Sequence, residues 1–213
     1  MRDRRTTLDK GVYLVIDPSM EEALLMDKLR LILKEKVAAV QVWDNFREGQ
    51  DIPGLIDRLC ALCHAHETPV LINNRWELGQ TSELDGVHFD EMPEDLERVR
   101  QSAGRRVMLG ITVNNDLELI RRAEAGGMDY ISFCSMFPST TATSCDLVPF
   151  EVVRKAKEIF SGPIFLAGGI HPENMHKLNE LDYAGVAVVS GIMSSDRPGE
   201  AVRAYQQHIK RIR

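Results

Sequence analysis

The sequence has no apolar run approaching the roughly 20 residues a membrane-spanning helix needs, so no membrane anchor is expected. No secretory leader is expected either. The basic stretch from Met1 to Lys10 runs into only a short apolar segment before Asp17 and Pro18, too short for a signal-peptide core, which points to a cytoplasmic protein. An excess of positive charge is missing too, since 26 Lys and Arg stand against 32 Asp and Glu for a formal net charge of -6. Without a basic stripe to follow a phosphate backbone, nucleic acid is not an expected partner. Cysteine is scarce. Cys60, Cys63, Cys134 and Cys145 fit reduced cytosolic thiols better than a disulfide framework. The stretch from Cys60 to His64 matches a haem c attachment pattern, yet it lies in a run where Ile52, Leu55, Ile56, Leu59, Leu62 and Cys63 recur at helical spacing. Consecutive helix residues point in different directions, so neither haem nor zinc is expected there, and Ile56, Leu59, Cys60 and Cys63 read as the inward face of a helix.

What the sequence does contain is alternation. Short β-branched or apolar runs are followed by longer helical patterns, the mark of βαβ units and a parallel sheet. Strands are expected near Val12 to Ile16, Ala38 to Val42, Val70 to Ile72, Gly86 to Phe89, Val107 to Ile111, Tyr130 to Phe133, Ile164 to Ala167 and Val186 to Val189, each followed by one helix. Ser19 with Glu22 reads as a capping box, and Pro93 and Pro172 stand where first helical positions are expected. Eight such units in about 200 residues favour one closed (β/α)8 barrel of the TIM type over a doubly wound open sheet. Residues 1–11 read as an N-terminal extension and 12–213 as the barrel domain. Closure places any active site on the loops after the strands.

Two glycine-containing strand ends sit late in the chain, at Ala167-Gly168-Gly169-Ile170 and at Val188-Val189-Ser190-Gly191. The loops after the seventh and eighth strands of such barrels commonly bind phosphate, because glycines let backbone amides approach the oxygens and a following helix N-terminus favours negative charge. The loop after the sixth strand, Phe137-Pro138-Ser139-Thr140-Thr141-Ala142, carries hydroxyls that can add donors to the same group.

Taken in order, several strand-end segments are similar to the signatures of the thiamine phosphate synthase and thiazole tautomerase superfamily. They are Tyr13 to Pro18, Gln41, Ile72-Asn73 with Arg75, Asp85 to His88, Gly110-Ile111-Thr112, Phe137 to Thr141, Ala167 to Ile170 and Gly185 to Ser190. The resemblance implies a thiamine phosphate synthase-like barrel and a transferase reaction of thiamine biosynthesis. In that reaction hydroxymethylpyrimidine pyrophosphate ionises, a thiazole phosphate nitrogen captures the pyrimidine cation, and magnesium pyrophosphate leaves. By the same resemblance Gly168, Gly169, Val189, Ser190, Ser139 and Thr141 would cradle the thiazole phosphate. Gln41, Asn73, His88 and Thr112 would face the pyrimidine and its pyrophosphate, with Asn73 and Thr112 closest to the chemistry. The implied partners are these phosphorylated heterocycles, and a homo-oligomer is compatible with the resemblance.

The chain also departs from the family's pattern. Trp43, Asn45 and Ala142 replace an arginine and two lysines, while Asn74 and Pro93 stand at the two magnesium carboxylate positions. A hard cation prefers carboxylate oxygens, and a departing pyrophosphate needs several positive partners, so these losses fall on one leaving group. Asp90, Glu91 and Arg75 are the neighbours that could compensate. Three functions follow: a divergent and slow synthase, a non-catalytic binder of thiazole phosphate or thiamine phosphate, and a tautomerase-like isomerase. The last would need a histidine after the sixth strand, where Ser135 stands.

Overall fold

The computed structural model describes residues 8–102, 107–139 and 146–209. Its strands are β1 (Gly11–Ile16), β2 (Ala39–Val42), β3 (Val70–Asn73), β4 (Gly86–Phe89), β5 (Met108–Val113), β6 (Tyr130–Cys134), β7 (Ile164–Ala167) and β8 (Gly185–Val188). All neighbours pair in parallel and β8 returns to β1, closing the barrel. The helices are α1 (Glu22–Ile32), α2 (Ile52–Ala65), α3 (Leu96–Ser102), α4 (Leu117–Ala125), α5 (Phe150–Ile159), α6 (Ser190–Met193) and α7 (Pro198–Ile209). None is long and apolar enough to cross a membrane, among the described residues.

Each strand splits its side chains between two cores, because successive residues point to opposite faces. Val12, Leu14 and Ile16 of β1, with Val40, Val42, Val70 and Ile72, pack outward under the helices. Tyr13, Ala39, Leu71, Met108, Tyr130 and Phe165 form the separate cluster that fills the barrel. Two aromatic rings from neighbouring strands need room, and glycine supplies it. A Cβ on Gly110 would lie 2.0 Å from Cζ of Tyr130, across the β5–β6 ladder where the two residues are in register.

On α2 the expected inward face holds, with Leu55, Ile56, Leu59, Cys60 and Cys63 buried against the barrel. Burial, with Cys60 and Asp85 adding to it, raises the Cys63 thiol far above its usual range, so it behaves as a small apolar side chain.

Several local expectations need correction. Ser19 does not cap α1: its amide donates to Asp17 Oδ1 at 2.9 Å, and Glu21 caps instead, accepting from the amides of Ala23 and Leu24 at 3.0 and 2.8 Å. Pro93 and Pro172 precede rather than begin helices, and Asp95 caps the start of α3 by accepting from the Arg98 amide. The third and seventh connections carry 3-10 turns, Trp76–Gln80 and Met175–Leu178, in place of α-helices. β3 and β5 run further than expected, so Asn73 pairs with His88 and Thr112 with Ser132 inside the ladder. Val189, conversely, lies just past β8 and caps α6.

Gly110→Ala is expected to cost about 1–3 kcal/mol, since it forces a methyl group against a ring that the surrounding barrel cannot release. Urea unfolding of the two proteins measures it, and an unchanged midpoint would contradict the packing described.

Candidate active site

The site grows out of the barrel's interior. Just above the ring cluster, at the C-terminal strand ends, inward positions turn polar: Gln41 on β2, Asn73 on β3, His88 on β4 and Thr112 on β5. Gln41, Asn73 and His88 are buried, and a buried polar group must find a partner or destabilise the fold by about 1–3 kcal/mol. They find one another. Gln41 Nε2 donates to Asn73 Oδ1 at 2.9 Å, and Asn73 Nδ2 donates to Asp90 Oδ2 at 3.1 Å and more distantly to the His88 carbonyl. His88 Nε2 lies 2.9 Å from Thr112 Oγ1.

Two residues that the sequence reading gave no role join these halves. The Tyr13 hydroxyl donates to Gln41 Oε1 at 2.7 Å and lies 2.7 Å from the Tyr130 hydroxyl, which in turn lies 2.9 Å from His88 Nδ1. The His88 and Tyr130 rings stack with centroids 5.6 Å apart. The four expected residues are thus one continuous chain across the barrel, with Tyr13 and Tyr130 at its middle. Burial raises both phenols well above the ordinary tyrosine range, so they stay protonated. Burial also lowers His88, against a smaller opposing pull from Asp90, to about 4, and its imidazole is neutral at physiological pH.

On the rim Arg75 is already paired. Arg75 Nε donates to Asp44 Oδ1 at 2.5 Å, and its guanidinium lies 5.1 Å from the Phe46 ring centroid. Asn45 bonds both Asp17 carboxylate oxygens, at 3.0 and 3.1 Å. Trp43 is exposed beside it. Asn74 sits at φ 58, a backbone region asparagine tolerates, where its Nδ2 donates to Asp90 Oδ2 at 2.8 Å and its Oδ1 accepts from the Asp90 amide at 3.0 Å. One Asp90 oxygen therefore takes two amide N–H groups. Among the described residues no three acidic, histidine or cysteine side chains converge to hold a metal. Amide nitrogens pointing at a single carboxylate are a poor donor set for magnesium, which takes oxygen ligands in a near-octahedral shell.

The expected phosphate loops lie together at the same end. Gly168 and Gly169 have φ of 86 and 63, and the β6 loop rests directly on them: Cβ atoms there would meet Ser135 Oγ at 2.0 Å and the Pro138 carbonyl at 2.3 Å. The amides of Met136 and Phe137 bond the carbonyls of Ala167 and Gly168, fixing that contact. Ser139 is half-buried at the edge of this loop, and Val189 and Ser190 open the short α6. Thr141, with Thr140 and Ala142, lies outside the described residues. Buried Ser135 donates to the Phe137 carbonyl at 2.7 Å, holding the loop's turn.

A family model described as thiamine monophosphate synthase matches residues 12–192. The thiamine-phosphate synthase of Halorhodospira halophila is 30% identical over 193 residues, covering 91% of each chain. That of Nitrosococcus oceani is 28% identical over 200 residues, covering 93% of this chain and 92% of its own. Among solved structures, a thiamine phosphate pyrophosphorylase from Pyrococcus furiosus superposes with a TM-score of 0.81 at 20% identity, over 95% of this chain and 96% of that one. A tryptophan synthase α-subunit from the same organism reaches 0.70 at 13% identity, over 97% and 98% of the two chains, a likeness of fold.

His88 gives this site a pH signature. Because its folded value is about 4 and its unfolded value 6.5, the unfolded chain binds the proton first, and the stabilisation present above pH 6.5 is lost as pH falls toward 4. The loss amounts to about 3 kcal/mol, at 1.36 kcal/mol per unit. Denaturant unfolding across this range is expected to show a shallower pH dependence for His88→Gln than for the wild type; parallel curves would place the imidazole in water.

Proposed function

The chain belongs to the thiamine monophosphate synthase family, and on that premise we propose that it binds the phosphorylated heterocycles of thiamine assembly while turning over the synthase reaction far more slowly than the family's usual residues would allow. One observation carries the reading. The heterocycle-facing layer is complete, with Gln41, Asn73, His88 and Thr112 joined in one hydrogen-bonded chain, whereas the residues expected to meet a departing pyrophosphate are neutral or already paired.

A flat heterocycle suits a mouth floored by fixed donors and acceptors above an aromatic cluster. His88, kept neutral by burial and with both ring nitrogens engaged by Tyr130 and Thr112, places no charge there that would oppose a developing pyrimidine cation. For the thiazole phosphate, Gly168 and Gly169 bring main chain close to the barrel mouth, and Ser139, Thr141, Val189 and Ser190 would complete the cradle. The leaving-group side is different in kind. Arg75 spends its charge on Asp44, and the carboxylate of Asp90 is held by two asparagine amides. The residues present do not fit magnesium. Ser135, turned onto a backbone carbonyl, does not favour a proton shuttle of the tautomerase kind.

Isothermal titration separates binding from turnover. Thiazole phosphate is expected to bind at least about tenfold more tightly than the dephosphorylated thiazole, a difference of about 1.4 kcal/mol, with or without magnesium. Equal affinities would remove the phosphate cradle. With both phosphorylated substrates and magnesium, turnover is expected far below the order of 1 per second found at the slow end of ordinary enzymes, and a rate in that range would overturn the slow-synthase reading.

A further inference from the structure

We propose that Asp90 sets the direction of the whole hydrogen-bond chain beneath the mouth, and through it selects the Nδ1–H tautomer of His88 and leaves Thr112 an acceptor toward any ligand. Asp90 touches neither tyrosine nor imidazole, so its role is one of positioning.

An ionised carboxylate accepts and never donates. Asp90 Oδ2 lies 3.1 Å from the Asn73 amide, so that amide presents Nδ2 to it; turned over, two oxygens would face each other. Asn73 Oδ1 is then directed at Gln41, which must donate through Nε2 at 2.9 Å and present Oε1 to Tyr13. Tyr13 uses its only hydrogen on Gln41, so Tyr130 donates to Tyr13 at 2.7 Å. Tyr130 now has none left, and the 2.9 Å contact to His88 requires a hydrogen on Nδ1. A neutral imidazole carries a single N–H, so Nε2 accepts from the Thr112 hydroxyl at 2.9 Å. Thr112 keeps only oxygen lone pairs for the mouth.

The reverse chain is equally consistent at every step except its end. With all donors exchanged, Tyr130 would donate to Nδ1, Nε2–H to Thr112, and Thr112 would become a donor; the carboxylate at 3.1 Å opposes it, and the His88 carbonyl, more distant at 3.4 Å from Asn73 Nδ2, opposes it less. In water the Nε2–H form is the commoner tautomer of a histidine side chain, so an Nδ1–H population at this position needs a cause. Asp90 is exposed, and in its absence water, which donates as readily as it accepts, would stand beside Asn73. Its second donor is Asn74, whose Nδ2 lies 2.8 Å from the same oxygen.

The ligand-facing consequence rests on the heterocycle reading above, but the test reads the free protein, so the two fail separately. Two-bond proton–nitrogen correlation spectra of histidine-labelled protein near neutral pH, assigned with His88→Gln, report which ring nitrogen carries hydrogen. The expected wild-type spectrum has Nδ1 protonated and Nε2 bare. Asp90→Ala is expected to shift the signals partly or wholly toward Nε2–H, and Tyr130→Phe to lose the selection with Asp90 still in place. A wild-type His88 protonated on Nε2, an unaltered pattern in Asp90→Ala, or retained selection in Tyr130→Phe would each overturn the proposal.

Discussion

Two phenol hydroxyls meet in the middle of this barrel, and much of the rest follows from having to satisfy them. Tyr13 and Tyr130 fill space that aliphatic side chains fill in most barrels of this kind, and their rings pack with Phe165 at centroid distances of 5.3 and 5.9 Å. Rings of that size demand Gly110 on the neighbouring strand. Their hydroxyls, sealed from water, demand polar partners at the next level up, and Gln41 and His88 supply them. The polar layer that a ligand would meet is thus also the layer that makes the core tolerable.

This double duty explains why the mouth is rigid where it matters. Asn73, His88 and Thr112 lie within strand ladders, and Gln41 within β2, so their positions are set by closure of the sheet rather than by loop conformation. Each side chain's orientation is further fixed by a neighbour that is itself fixed. A ligand entering such a site finds donors and acceptors already aimed, and less of its binding free energy goes into ordering them. The β2 loop is held in a similar way, with Asn45 on Asp17, Gln50 on the Pro18 carbonyl and Arg75 on Asp44.

How much of this was legible in the sequence depended on range. Strand positions were, because β-branched runs at barrel spacing have few other uses, and the polar residues ending those runs marked the mouth. The 3-10 turns were not: Met175, Leu178 and Leu181 recur every three residues, a spacing that reads as helical whether the turn is α or 3-10. The cap of α1 was misplaced because Asp17 competes for the Ser19 amide, leaving Glu21 to do the capping. Tyr13 and Tyr130 were missed as a pair because they are 117 residues apart and meet only when the barrel closes. A signal did exist, since each sits at an inward position of its strand, and Gly110 stands beside Tyr130 in the ladder. Asp90 is legible in the sequence as a carboxylate near the site, but its partners Asn73 and Asn74 are not.

The split between a complete floor and an altered rim has a physical logic. Replacing Gln41, Asn73 or His88 would orphan a buried partner, so folding alone opposes change there. Trp43 and Asn45 are exposed on the rim, and substitutions at such places leave stability nearly untouched. A site of this construction can change at its rim without losing its fold or its floor. The same logic decides which residues speak for function. The floor's integrity is what stability requires in any case, whereas Ser190 is exposed and Ser139 only half-buried, so burial alone asks less of them. The case for a phosphate-bearing ligand therefore draws its weight from the rim after β6, β7 and β8, and the case for slow turnover from the rim after β2, β3 and β4.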